Sequence, residues 1–417
     1  MYKTGLNFAK EMDAKDPLAH LRAEFRLPGE HNGKAWNYFT GNSLGLQPKQ
    51  TQDYINQELT DWANLGVEGH FEAKNPWLNY HEYLGEKMAK IVGAKTSEVV
   101  VMNTLTTNLH LLMVSFYQPT ADRFKILIES DAFPSDRYAV ESQLKFHGFD
   151  PKEGLIEWRP KPGKELLDME DYESLIQEHD IALVLVGGVN YYTGQYLDIK
   201  KIADLGHAAG ATVGIDLAHG AGNIQPELHD SGVDFAAWCT YKYLNSGPGS
   251  LSGLFVHEKH ENKPDLPRFA GWWNHNKSTR FNMRQPFDVM PGAEGWQLSN
   301  PPILSMAAIK SSLDLFDEVG MDALRKKSLL LTGYFEFLVN QLDTDRIRII
   351  TPSDPERRGC QLSIQVKNAD KSLHQALSDA HIITDWREPD VIRCAPVPMY
   401  NRFEDVFAFV ETLKTLL

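Results

Sequence analysis

The stretch FAAWCTYKYLNSGPGSLSG, residues 235–253, decides how the chain reads. It opens as a buried strand, reaches Lys242 between Tyr241 and Tyr243, and then breaks into glycine and serine. Lysine is among the residues least often buried, and a surface lysine needs no such setting. Its purpose depends on the partners the rest of the chain can supply.

Working outward, short apolar and β-branched runs recur between about 95 and 260. They are EVVVMN from 98, KILIES from 125, IALVLVGGV from 181, ATVGID from 211, FAAWCTY from 235 and LSGLFVHE from 251. Runs without clean alternation predict strands covered on both faces. The amphipathic stretches LTTNLHLLMVSFY and IKKIADLGHAAG lie between them. Strand and helix in alternation predict an α/β fold with a mostly parallel, seven-stranded-type sheet. From about 303 the chain turns helical and closes as a smaller α+β unit. The expected division is a segment 1–65 packing with the small domain, a large domain 66–302 and a small C-terminal domain 303–417.

Composition narrows the function. At 417 residues the chain exceeds one ordinary core, and 42% hydrophobic with 24% charged residues is ordinary for a globular protein. A formal charge of −14 argues against nucleic acid or an anionic membrane as partner. Three scattered cysteines, Cys239, Cys360 and Cys394, make neither a disulfide framework nor a zinc cage. MYKTGLNFAKEMDAKD is no signal peptide, and no run reaches the length of a membrane span, so a cytoplasmic location is expected.

The chemistry sits at the strand ends. GPGSLSG is spaced as GxGxxxG with no clear helix behind it, so a dinucleotide reading is weak. HEKHE at 257 is not HExxH and reads as a solvated turn, and no metal is expected. In VVVMNTLTTNLHLL a strand passes through Asn103, Thr104, Leu105, Thr106 and Thr107 into a helix, which suits a phosphate cradle, although taken alone it reads more readily as an ordinary Thr N-cap. Asp216 ends an apolar strand with His219 three residues on, either facing a ligand or capping the next helix. Lysine and aspartate on two strand ends, with a cradle at a helix start, match pyridoxal phosphate. The lysine would form a Schiff base, the aspartate would hold the pyridine nitrogen protonated, and the helix start would take the phosphate.

With these residues in view, YFTGNSLGLQP, NTLTTNLHLLM, AFPSDRYA, YYTGQ, DLAHGAGN, WCTYKYLNSGPG, GWWNH, STRFNM, SNPPIL, GCQLSI and IRCAPVPMYN resemble the kynureninase family, in order, from about residue 35 to the C-terminus. The resemblance implies the aspartate-aminotransferase (fold type I) architecture and hydrolysis of L-kynurenine or 3-hydroxy-L-kynurenine. It implies Lys242, Tyr241 and Asp216 as catalytic groups. Leu105, Thr106, Phe133, Ser135, Asp136, His219, Trp272 and Asn300 would join them around the cofactor, the last two across a homodimer interface. Ser43, His70, Trp273, Asn300 and Arg393 would contact substrate, with Arg393 on the α-carboxylate. His70 with Asn300 resembles members favouring the 3-hydroxylated substrate. Gly187 stands where some members carry a cofactor-contacting serine, and Trp273 where some carry phenylalanine. The rival enzyme of the same architecture is a cysteine desulfurase, for which Cys360 would be the reactive thiol, or an aminotransferase. Cys360 precedes the alternating QLSIQV and reads as a strand start. A non-catalytic cofactor-binding regulator would show a basic DNA-binding module, and none is visible.

Overall fold

The computed structural model describes residues 2–33, 35–261, 263, 265–283 and 286–417. A two-residue strand, Asn37–Tyr38 (β1), comes first in the chain. The large sheet then forms from Val99–Met102 (β2), Lys125–Glu129 (β3), Leu155–Trp158 (β4), Ile181–Gly187 (β5), Thr212–Asp216 (β6), Phe235–Cys239 (β7) and Ser252–Val256 (β8). Its order is β2-β8-β7-β6-β5-β3-β4. Neighbours from β7 to β4 are parallel, and β8 runs antiparallel to both β2 and β7. The mostly parallel sheet expected from the sequence is therefore present, with one reversed strand. The unforeseen strand is β4: LIEW lies at the sheet edge and three of its four residues are only half-buried, so it lacks the apolar signature of the others.

Alternate residues feed two cores, because successive side chains on a strand point to opposite faces. Val99, Val101, Leu127, Val184, Val213 and Ile215 join one cluster. Val100, Met102, Ile126, Ile128, Leu183 and Leu185 join the other. Both faces are dry, which is why the runs read as continuously apolar.

The second unit carries Ile347–Ile349 (β9), Leu362–Val366 (β10), Ile382–Ile383 (β11), Asp385–Arg387 (β12) and Val391–Cys394 (β13). Four of these form an antiparallel sheet of order β12-β13-β10-β9, packed on helices Met321–Val339 and Phe403–Leu416. The N-terminal helix Leu6–Ala14 lies against Phe403–Leu416, and β1 pairs in parallel with β11. Helix Ile303–Val319 departs from the expected boundary at 303. It buries Met306, Ile309 and Leu313 in the core of the large sheet and packs on helix Thr51–Leu65. Among the described residues, no helix is long and apolar enough to cross a membrane.

Ile215 of β6 is fully buried one residue before the end of its strand. Ile215→Ala leaves a cavity there and should cost about 2–5 kcal/mol, seen as a lower denaturation midpoint. An unchanged midpoint would mean that β6 is not anchored through this core.

Candidate active site

Parallel strands bring their carboxyl ends to one edge, where open α/β sheets bind ligands. β3 ends at Glu129, β5 at Gly187 and β6 at Asp216. β7 continues through Thr240 and Tyr241 to Lys242. β2 passes through Asn103, whose φ of 47° makes the sharp turn, into helix Leu105–Phe116. These ends surround a cleft of about 350 Å³.

Lys242 projects into the cleft with Nζ 3.0 Å from His219 Nε2. His219 is buried, and burial, helped by the Lys242 charge, holds its imidazole well below its ordinary pKa. The neutral ring therefore accepts from Lys242 Nζ at Nε2, which leaves the ring proton on Nδ1, a buried atom without a partner among the described residues. Asp216 Oδ1 accepts the Ala218 N–H at 2.6 Å. Asp136, in the first turn of helix Pro134–Phe146, has its carboxyl pushed well up by burial and by its hydrogen-bonded neighbour Asp216.

The helix Leu105–Phe116 starts with no side chain capping its first N–H groups. The hydroxyls of Thr106 and Ser135 lie 2.6 Å apart beside it. Phe133 is 45% exposed, and its ring stands 5.8 Å from Lys242 Nζ. An open helix start with two hydroxyls suits a phosphate dianion. An exposed ring face, a carboxyl pair, an orphaned imidazole N–H and an amine suit the rest of pyridoxal phosphate.

The opposite wall comes from the second unit. Arg393, in the middle of β13, is buried; its guanidinium ion-pairs with Asp385 and donates to the Tyr191 carbonyl at 2.6 Å. Arg387, at the end of β12, shares Asp385 at 3.2 Å and also lines the cleft. Asn42 and Ser43 close one side. Their segment is pinned by the Gly45 N–H donating to the Tyr241 carbonyl at 2.7 Å. A Cβ at Gly45 would collide with the Lys242 carbonyl and Asn245, so glycine is required for that close approach.

Of the residues expected at the site, Ser43, Leu105, Thr106, Phe133, Ser135, Asp136, Asp216, His219, Tyr241, Lys242 and Arg393 line this one cleft. His70, Trp272, Trp273 and Asn300 lie outside it. His70 stands edge-on to Trp77 at 5.5 Å. Trp272 is 44% exposed and Asn300 is exposed. Trp273 is buried, with the Arg280 guanidinium 4.2 Å over its ring, so no open face of it is left for a substrate. Sequence reasoning passed over Glu129, Tyr191, Asp385 and Arg387; a carboxylate at the end of an apolar strand was a usable signal for the first. Cys360 is buried at the entry to β10 with its thiol pushed up to about 12 by burial, which removes the reactive thiol of the desulfurase reading. HEKHE is not the solvated turn expected: His260 binds the buried Asp234 at 2.8 Å, and His257 lies beside the buried Glu98. Glu98, His229 and His257 cluster there, but Glu98 already accepts from the Lys95 and Glu258 N–H groups and His257 from the Lys259 N–H.

The chain resembles known proteins along nearly its full length. Residues 324–413 match the family described as Kynureninase C-terminal domain. The kynureninase of Myxococcus xanthus (strain DK1622) is 55% identical over 99% of this chain and 98% of its own length. That of Koribacter versatilis (strain Ellin345) is 54% identical over 98% and 97%. Among solved structures, a C-DES variant with glycine covalently linked to its PLP cofactor superposes at a TM-score of 0.78 with 17% identity, covering 94% of this chain and 98% of that one. A cysteine desulfurase from Thermococcus onnurineus NA1 gives 0.77 and 17%, covering 95% and 97%. The distant structures share the fold. The near relatives, more than half identical over essentially the whole chain, settle the family, and this chain belongs to the kynureninases.

Proposed function

We propose that Lys242, Asp216, Tyr241 and Arg393 carry the chemistry of this chain. The activity is that of its family, pyridoxal-phosphate-dependent hydrolysis of a carbon–carbon bond. L-Kynurenine and water give L-alanine and anthranilate, and the 3-hydroxylated substrate gives 3-hydroxyanthranilate. The observation that carries the assignment is the single cleft that joins an amine at a strand end, a carboxyl pair, an uncapped helix start and a buried arginine.

Bound pyridoxal phosphate supplies an electron sink beside the substrate α-carbon. The chain's groups supply the rest. Arg393, already aimed by Asp385 and the Tyr191 carbonyl, takes the α-carboxylate with its fork. Lys242 Nζ removes the α-proton and returns it, with neutral His219 as its resting partner. Asp216 holds the ring nitrogen protonated. The Tyr241 phenol, its pKa raised by burial and by Cys239, stays protonated and can donate to the substrate carbonyl oxygen as water adds there. Thr106, Ser135 and the helix start anchor the phosphate.

A homodimer completes the reading. Trp272 and Asn300 are exposed and lie outside their own chain's cleft, which supports a role for them at the cofactor of a second copy. Exposed Trp62, Val67, Phe71, Trp272, Phe281 and Met283 offer apolar surface for one. His70 and Asn300 would then set the preference for the 3-hydroxylated substrate from across the interface. A cytoplasmic location fits the acidic, disulfide-free composition.

Lys242→Ala should lose the visible cofactor band and both activities, monitored by anthranilate fluorescence. Asp216→Asn should keep the band and lower kcat about 100-fold or more, the scale of one lost electrostatic stabiliser; near-normal turnover would remove Asp216 from this role. Arg393→Lys should raise KM about tenfold or more while changing kcat less, because a bidentate fork becomes a point charge. Mixing inactive Lys242→Ala and Asn300→Ala chains should restore activity if sites are shared, since one hybrid site regains both residues. No restoration, with exchange of subunits demonstrated by mass, would place Asn300 within its own subunit's chemistry or outside it altogether.

A further inference from the structure

The cleft floor holds one buried acid that the reaction above leaves without work. Glu129, the last residue of β3, is 6% exposed. Its two oxygens accept the Gly187 N–H at 2.9 and 3.2 Å. β3, β5 and β6 are successive parallel neighbours, and Gly187 is paired in register with Asp216. The Glu129 side chain thus crosses the end of β5 on the side of Asp216. It fills the space a side chain at 187 would need: a Cβ there would sit 2.8 Å from Glu129 Oε1. Glycine at 187 admits the carboxyl, and its N–H ties it down.

Buried Glu129 and Asp216 and half-buried Asp136 bring three carboxyl groups onto one floor, where like charges oppose one another. Glu129 itself is pushed up to about 7, chiefly by burial and further by Asp216, against the pull of the Gly187 N–H. The groups that face it are Asp216 and Asp136 on the floor, Lys242 at its edge and the Tyr191 phenol on the far wall, with Arg387 and Arg393 beyond.

We propose that Glu129 is a positioning residue of this site: tied to the Gly187 N–H, it adds its negative charge to the carboxyl floor of Asp216 and Asp136, and so to the grip on a protonated ring nitrogen. The inference rests on the pyridoxal-phosphate reading. Glu129's own titration sets the direction of the effect. Well below neutrality Glu129 is uncharged and resembles glutamine; as pH rises through neutrality its negative charge appears and favours retention of the proton on the ring nitrogen.

The test reconstitutes apoprotein with pyridoxal phosphate across pH 5 to 9, reading cofactor affinity by fluorescence and the visible band by absorbance, for wild type, Glu129→Gln and Glu129→Asp. Glu129→Gln keeps the shape and an acceptor for Gly187. Its affinity should match wild type near pH 5 and fall about tenfold below it near pH 8, with the band's transition moved about one unit lower. Glu129→Asp, which keeps the charge, should recover most of both. Coincident curves for wild type and Glu129→Gln overturn the proposal, as does a loss equal at every pH, which is the mark of a merely structural role. Should Glu129→Gln fail to fold, Gly187→Ala displaces the same carboxyl without removing it. A smaller shift in the same direction is then expected, and no shift overturns the proposal. A wild type that binds no cofactor sinks the pyridoxal-phosphate reading itself, and this inference with it.

Discussion

The site depends on one constraint: strands buried on both faces can be polar only where they end. Six strands of the large sheet run the same way, so their polar ends are gathered on one edge. The chain places Glu129, Asp216 and Lys242 there, each at or just past an otherwise apolar run. Moved two residues back into its strand, any of them would be an uncompensated buried charge. The reversed β8 lets the chain return from Lys242 to the sheet and lie beside β2, whose continuation is the helix start that faces the same cleft.

The charges at this edge are held in balance by neighbours that are themselves placed by packing. His219 is kept neutral, so it accepts from Lys242 without competing as a second cation. Arg393 is fully enclosed, yet it has Asp385 and a backbone carbonyl to hold its fork in one orientation. Asp385 serves Arg387 as well, so one carboxylate faces two guanidinium groups and leaves net positive charge on that wall. In the proposed role, a substrate carboxylate would meet complementary charge in a preformed geometry, which would lower the ordering cost of binding.

Much of this was legible in the sequence because the signals were strong ones. Doubly buried strands announce themselves as unbroken apolar runs, and Lys242 and Asp216 stand out because nothing but an edge position explains a charge in that context. β4 was not legible, since an edge strand with half-buried residues looks like any connecting segment. Glu129 carries the same signal, a carboxylate closing the apolar run KILIE, but no partner in the sequence points to it. Asp385 and Arg387 could not be found because the wall they build is assembled from another unit, more than a hundred residues away in the chain. The tandem Trp272–Trp273 gives no clue to which ring faces out, and packing by Arg280 decides it. HEKHE misled because its histidines are drawn inward by Asp234 and Glu98, carboxylates that only the fold brings near.

The central claim is that Lys242 is the amine that bonds the cofactor. The most direct measurement is reduction of the reconstituted holoprotein with borohydride, which fixes the cofactor to its lysine, and then proteolysis and mass mapping of the modified peptide. The prediction is one pyridoxyl group on the peptide containing TYKYLNSG, fragmenting at Lys242. A modification on any other lysine, or none on this peptide in a protein that carries the visible band, would contradict it.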